Sequence, residues 1–207
     1  MIVYRYLPEE FGLRALQQQK WKIARLLELN DPFDCQPILS RNSGADEVLA
    51  SDDAYFRELY DSIGILCYCS SINDPVIWSH YADSHRGIAL GFEFKPTDGL
   101  LKVKYPKYDS RAHLDGDDLD RLKKENYDEA LLKVVSDAFT KKAKSWEYER
   151  EYRHFIYLKG CDMIGSHYFR DMPLPNLRRI VLGVRSHVTE SDVRRIMSRW
   201  QIPCNVE

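Results

Sequence analysis

No segment of this chain leaves less choice than Ile63 to Ser71 (IGILCYCSS), which is apolar almost without interruption and ends in small hydroxyls. That pattern is a buried strand. The chain has 207 residues, 44% of them hydrophobic, so it is long enough to surround such a strand with a substantial core.

Other segments read less sharply but consistently. Ile2 to Leu7 is a short strand, and Pro8-Glu9-Glu10 opens a helical turn, since acids suit the positive end of a helix. Lys22 to Leu29 is expected as a second strand, running into a turn at Asn30-Asp31-Pro32-Phe33-Asp34. Phe56, Leu59 and Tyr60 recur at helical spacing behind Asp52 or Asp53, either of which would cap. Asn73-Asp74-Pro75 starts a helix carrying Ile77, Trp78 and Tyr81, and Gly87 leads into a strand from Ile88 to Phe94. Further strands are expected at Val103–Tyr105, Glu151–Leu158 and Ile180–Val184. Ala130 to Ser145 reads as an amphipathic helix, and Thr189 with Asp192 begins another that runs to about Trp200. Residues 109–129 are dense in charge and are expected as a mobile loop or solvated helix inserted in the domain. No repeat or linker divides the chain, so residues 1–207 are read as one α+β domain.

Several functions are excluded or disfavoured. No run of roughly 18 apolar residues occurs, so no helical membrane span and no membrane partner is expected. The N-terminus lacks the basic flank and apolar stretch of a signal peptide. Five scattered cysteines without a CxxC suit a reducing compartment, so a cytoplasmic protein is expected. A net charge of -2 gives no general reason to expect nucleic acid as a partner. His80 and His85 do not share a helical face, so zinc is not expected, and no glycine-rich phosphate loop is present.

The densest chemistry lies in Trp146-Glu147-Tyr148-Glu149-Arg150-Glu151-Tyr152-Arg153. If extended, this segment puts three acids on one face, where their repulsion calls for solvent, a cation or a ligand. A solvated edge paired with nearby basic residues is the plain reading; a Glu-x-Glu pair at the mouth of a cleft is the functional one. Ser70 at the end of the central strand either bonds a ligand or caps a turn. Arg5, between Tyr4 and Tyr6, needs a partner if buried. The C-terminal arginines would suit phosphate, but a solvated helix face explains them as well.

Arginine in the first strand, serines at a middle strand end and Glu-x-Glu before a late strand occur here in one chain order. That order resembles the layout of ADP-ribosyltransferases, although Cys69-Ser70-Ser71 lacks the usual hydroxyl–small–hydroxyl form. Tyr4-Arg5-Tyr6, Leu29-Asn30-Asp31-Pro32-Phe33-Asp34, Cys69-Ser70, Trp78-Ser79-His80-Tyr81 with His85 and Gly87, and Lys144 with Trp146 to Arg153 also resemble a bacterial and phage family. It is catalogued as domain of unknown function 2971, and the likeness spans almost the whole chain.

The ADP-ribosyltransferase resemblance implies a mixed, split β-sheet core flanked by helices and a site that uses NAD as a nucleotide cosubstrate, while the family of unknown function supplies no activity of its own. Together the two resemblances imply a toxin or phage-defence effector with a macromolecular acceptor of unspecified kind. Glu151 is expected to be the catalytic carboxylate and Glu149 to orient the acceptor. Arg5, Ser70, Tyr81, His85, Asn30, Asp34 and Arg153 are expected to bind the cosubstrate. The alternatives are a non-catalytic nucleotide- or protein-binding module, or a nuclease holding a divalent cation with Asp31, Asp34, Glu149 and Glu151.

Overall fold

A computed structural model describes residues 1–40, 47–49, 54–108, 112–115, 138–200 and 204–207. In it β5 (Ile63–Cys69) is the strand on which the architecture turns. One edge pairs along its whole length with antiparallel β9 (Glu151–Tyr157), from Ile63↔Tyr157 to Cys69↔Glu151. The other edge is shared. β2 (Lys20–Arg25) takes its beginning at Gly64 and Ile65, and β1 (Ile2–Leu7) takes only its end, at Tyr4↔Cys69. β1 and β2 therefore part from one another along β5, and the sheet splits.

From β1 the sheet continues through β6 (Ile88–Glu93) and β12 (Leu177–Leu182) to β13 (Asn205–Val206), which pairs parallel with β12. From β2 it continues through β11 (His167–Asp171) to β10 (Asp162–Ile164), while the short β7 (Leu101–Lys102) pairs with β9. A separate small sheet joins β3 (Ile38–Ser40), β4 (Glu47–Leu49) and β8 (His113–Asp115). The chain is a single α+β domain with a large mixed sheet, as its sequence implies.

Alternation along β5 sorts the core onto two faces. Leu66 and Tyr68 join one cluster with Val3, Trp21, Phe92 and the helices α1 (Glu9–Gln18) and α4 (Glu190–Met197). Ile63 and Ile65 face the other way, onto α2 (Ala54–Ser62), and Cys69 meets α3 (Pro75–Tyr81) on that same side. Gly64 has no room for a side chain, because a Cβ there would lie 2.2 Å from Ile23 Cγ2. Substitution would force β2 off β5.

Several boundaries differ from expectation for local reasons. The second strand is Lys20–Arg25 and stops where the Glu28 carboxylate folds back onto the Arg25 N–H and guanidinium, closing a 3-10 turn at Leu26–Glu28. Val103–Tyr105 is not a strand. Its backbone makes one bridge, Lys104 to Lys141, beside β7. β12 begins three residues before the expected Ile180 and ends at Leu182. The hairpin of β10 and β11 was not foreseen, since its residues carry little apolar alternation. Of the charged segment 109–129 only 112–115 is described, including β8, and Asp52 and Asp53 lie outside the described residues. The same holds for residues 130–137 of the helix expected from Ala130 to Ser145, whereas its described part leaves helix after Ala138, for a turn, the bridge at Lys141 and a 3-10 turn from Lys144. Among the described residues no helix is long and apolar enough to cross a membrane.

Candidate active site

Where β1 and β2 part, a cavity of about 240 Å³ opens on the α2/α3 side of the sheet. Tyr4 and Tyr6 of β1, Cys67 and Cys69 of β5, Tyr81 of α3 and Asn30 before the Asp31–Asp34 turn line it, with Asp34, Lys142, Glu149 and Glu151.

Each polar group arrives by a local device. Asp74 caps α3 by accepting from the Val76 and Ile77 N–H groups, and Pro75 suits its first turn. That short helix brings the Tyr81 hydroxyl onto Glu149 Oε1. Asp31 closes a tight turn by accepting from the Phe33 N–H, and its carbonyl accepts from the Asp34 N–H, so Asp34 is carried inward to 5% exposure. Lys142 is set by backbone bonds of Thr140 and Lys142 to Lys104.

The expected row of three acids is not one face. Lys144–Glu149 is a 3-10 turn rather than strand, and Arg150 adopts a left-handed conformation, φ 45°, that turns the chain into β9. Glu147 therefore stays exposed on Lys144, 2.6 Å away, and only Glu149 and Glu151 reach the cavity.

Beneath them is a buried ion cluster. Arg153 has no exposed surface, and its five N–H donors all meet oxygen: Glu151 through Nε at 2.7 Å and Nη2 at 2.9 Å, Asp34 through Nη1 at 2.8 Å and Nη2 at 2.6 Å, and the Phe139 carbonyl at 2.6 Å. Lys142 Nζ lies 2.5 Å from Glu149, 3.3 Å from Glu151 and 3.5 Å from Asp34, and stands 4.7 Å over the Trp146 ring. Three carboxylates face two cations, so the fully ionised cluster keeps one negative charge.

The two glutamates differ in consequence. Burial opposes the charge of Glu151, but Arg153 and then Lys142 prevail and hold its carboxyl at about 2. Burial, helped by the charge of Glu151 and opposed by Lys142, raises Glu149 above the ordinary carboxylate range. Burial and the Glu149 charge raise the Tyr81 phenol, which stays a donor. Burial likewise keeps Cys67 a thiol. A depressed folded pKa contributes stability above the unfolded value and loses it as pH falls through the folded one. With Glu151 falling from 4.5 to about 2, urea unfolding at pH 5 and at pH 2 should show on the order of 3 kcal/mol lost to this group. In Glu151→Gln that pH-dependent portion should vanish; an unchanged acid loss would contradict the assignment.

Asn30, Asp34, Tyr81, Glu149 and Glu151 thus meet at the cavity, with Arg153 beneath it. The remaining expected binders do not. Arg5 points to the opposite face of β1, packs 4.8 Å from the Trp21 ring and donates to the Lys22 carbonyl, and its Nη1 has no partner among the described residues. Ser70 is exposed and its N–H and hydroxyl both donate to the Arg150 carbonyl, not to the turn that follows it. His85 closes a left-handed turn after α3 and does not line the cavity, and neither does Asp31. Lys142 was missed. The surplus of acids called for a cation, but nothing in the Lys141-Lys142-Ala143-Lys144 run marks which lysine turns inward.

Residues 77–154 match the model of a family described as protein of unknown function (DUF2971). The matched segment holds Tyr81, Lys142, Glu149, Glu151 and Arg153, whereas Tyr4, Asn30 and Asp34 come from outside it. No curated protein and no solved structure matches the chain.

Proposed function

We propose that the chain is a NAD-using enzyme of the ADP-ribosyltransferase type, with the cavity at the sheet split as its reaction centre. The observation that carries this reading is a pair of carboxylates, over a cluster of residual negative charge, opening into a cavity walled by tyrosines. Such a site suits a flat cationic ring. Nicotinamide in NAD is a pyridinium, and aromatic faces and negative charge both attract it. Tyr6 is held by its bond to the Ser71 carbonyl at 2.7 Å and by Trp78 at 5.0 Å, and the Tyr4 hydroxyl by Arg179 at 2.7 Å, so both rings are fixed as walls.

The same negative charge favours the positive charge that develops on the ribose as nicotinamide leaves. In this reading the catalytic role that the resemblance implies for Glu151 passes to Glu149. Glu151 spends both oxygens on Arg153 and Lys142 and acts as a fixed anion of the floor. Glu149, held by Tyr81 and Lys142, is the carboxylate that meets the ribose or the acceptor. A divalent-cation nuclease has less support, because Asp34 and Glu151 are neutralised by Arg153 and Lys142, and Asp31 is not at the cavity.

A ligand that binds only the native state raises the melting temperature. NAD at about a hundred times its Kd should stabilise by about 2.7 kcal/mol, while magnesium leaves the melting curve in place, and nicotinamide release should follow on incubation. A shift with magnesium alone would overturn the reading. A shift with NAD but no nicotinamide would leave a nucleotide-binding module.

A further inference from the structure

We infer that Lys142 is a positioning residue that holds Glu149 ionised and in place within the acidic centre. The catalytic meaning of this role rests on the function proposed above; the electrostatic role does not. Lys142 Nζ lies 2.5 Å from Glu149 Oε2, the shortest of its three carboxylate contacts, and the side chain is 8% exposed.

Among the other described groups around Glu149, the Tyr81 hydroxyl favours its charge through a hydrogen bond, but none supplies a compensating positive charge. Glu151 on β9 is an anion, and Asp34 faces the same ammonium from the turn before β3. Tyr81 on α3, Tyr105 beside β7, Tyr148 in the 3-10 turn and Cys69 on β5 are neutral neighbours. Of these neutral neighbours Tyr81 donates to Glu149. Arg153 is the other cation, but its five donors are spent on Glu151, Asp34 and Phe139, and none reaches Glu149. Among the described residues the compensating charge for Glu149 therefore comes from one ammonium group. That ammonium is pinned by its backbone bonds to Lys104 and by the Trp146 ring.

Removal of Lys142 should let burial and the charge of Glu151 decide, and Glu149 should then take up its proton at a higher pH. An opposite charge at this distance moves a carboxyl by about 1 to 3 pH units. With side-chain carboxyl carbons of glutamate labelled with ¹³C, and Glu149 assigned through Glu149→Gln, its titration midpoint should rise by about that much in Lys142→Met and return in Lys142→Arg. The same midpoint in Lys142→Met and the unsubstituted protein would overturn the inference.

If Lys142→Met does not fold at neutral pH, its pH dependence decides. A carboxyl whose folded pKa is raised contributes stability at low pH and loses it as pH rises through that value. The melting temperature of Lys142→Met should therefore climb as pH falls from about 8 to about 5, and this slope should vanish in Lys142→Met/Glu149→Gln. A flat or opposite slope would overturn the inference. Neither measurement uses NAD, so failure of the unsubstituted protein to cleave NAD would overturn the transferase reading and leave this result standing.

Discussion

Arg153→Met should cost more stability than any other single substitution in the described part of the site. The guanidinium is fully buried and matches all five donors to oxygen, four of them on Asp34 and Glu151. Methionine removes those donors and leaves two carboxylates, themselves 5% exposed, without their counter-ion. Breaking a buried pair from one side typically costs about 3 to 5 kcal/mol, because the surviving charge is stranded in a medium that solvates it poorly. For a chain of this length that corresponds to a fall in melting temperature of roughly 6 to 20 °C. Arg153→Lys should not rescue it, since an ammonium is a point charge and cannot span both carboxylates as the planar fork does. Thermal and urea unfolding of the three proteins at pH 7 decide the matter. A loss below about 1 kcal/mol, within the range of an exposed pair, would mean that the cluster is solvated.

Glu149→Gln should have the largest effect on activity for the smallest effect on folding. Glutamine retains an oxygen for the Tyr81 hydroxyl, and Lys142 keeps Glu151 and Asp34 as partners, so no buried charge is stranded. What disappears is the negative charge beside the cavity. Loss of one group that acts on charge developing in the transition state typically lowers kcat by roughly a hundredfold or more. NAD affinity should change far less, as expected for an interaction made in the transition state. Glu151→Gln is the informative contrast. Because Glu151 is bound to Arg153 through both oxygens, that variant should lose stability as well as activity, and its melting curve should move clearly below that of Glu149→Gln. Full NAD turnover by Glu149→Gln would remove this carboxylate from the mechanism.

Much of the scaffold was legible because local pattern and tertiary environment agree. The apolar run of β5, the strand of β1, Asp74-Pro75 at the start of α3 and the Thr189–Asp192 capping box all hold, and each depends on residues only a few positions apart. β10 and β11 were not legible, because both bury little: β10 is the sheet edge, paired with β11, and β11 owes its place to β2. The membership of the acidic site was readable in kind. Asp34, Tyr81, Glu149 and Glu151 were all expected there, since a turn, a short helix and a strand start present polar groups wherever the core behind them is apolar.

Direction was not legible. Whether Arg5 faces the cavity depends on one residue of alternation in β1, and the register Tyr4↔Cys69 sends Tyr4 and Tyr6 to the cavity and Arg5 to the other side. The Glu-x-Glu spacing cannot say which carboxylate is structural, since that depends on Asp34 and Arg153, 119 positions apart, meeting at 2.6 Å. Lys142 follows the same rule, for a lysine in a run of lysines is chosen by the anions folded against it, Asp34 from far along the chain and Glu149 and Glu151 from around the turn into β9. Residue type and local spacing determined which groups could do chemistry. Long-range pairing decided which of them meet, because opposite charges far apart in the chain interact strongly only once folding has brought them together and excluded water.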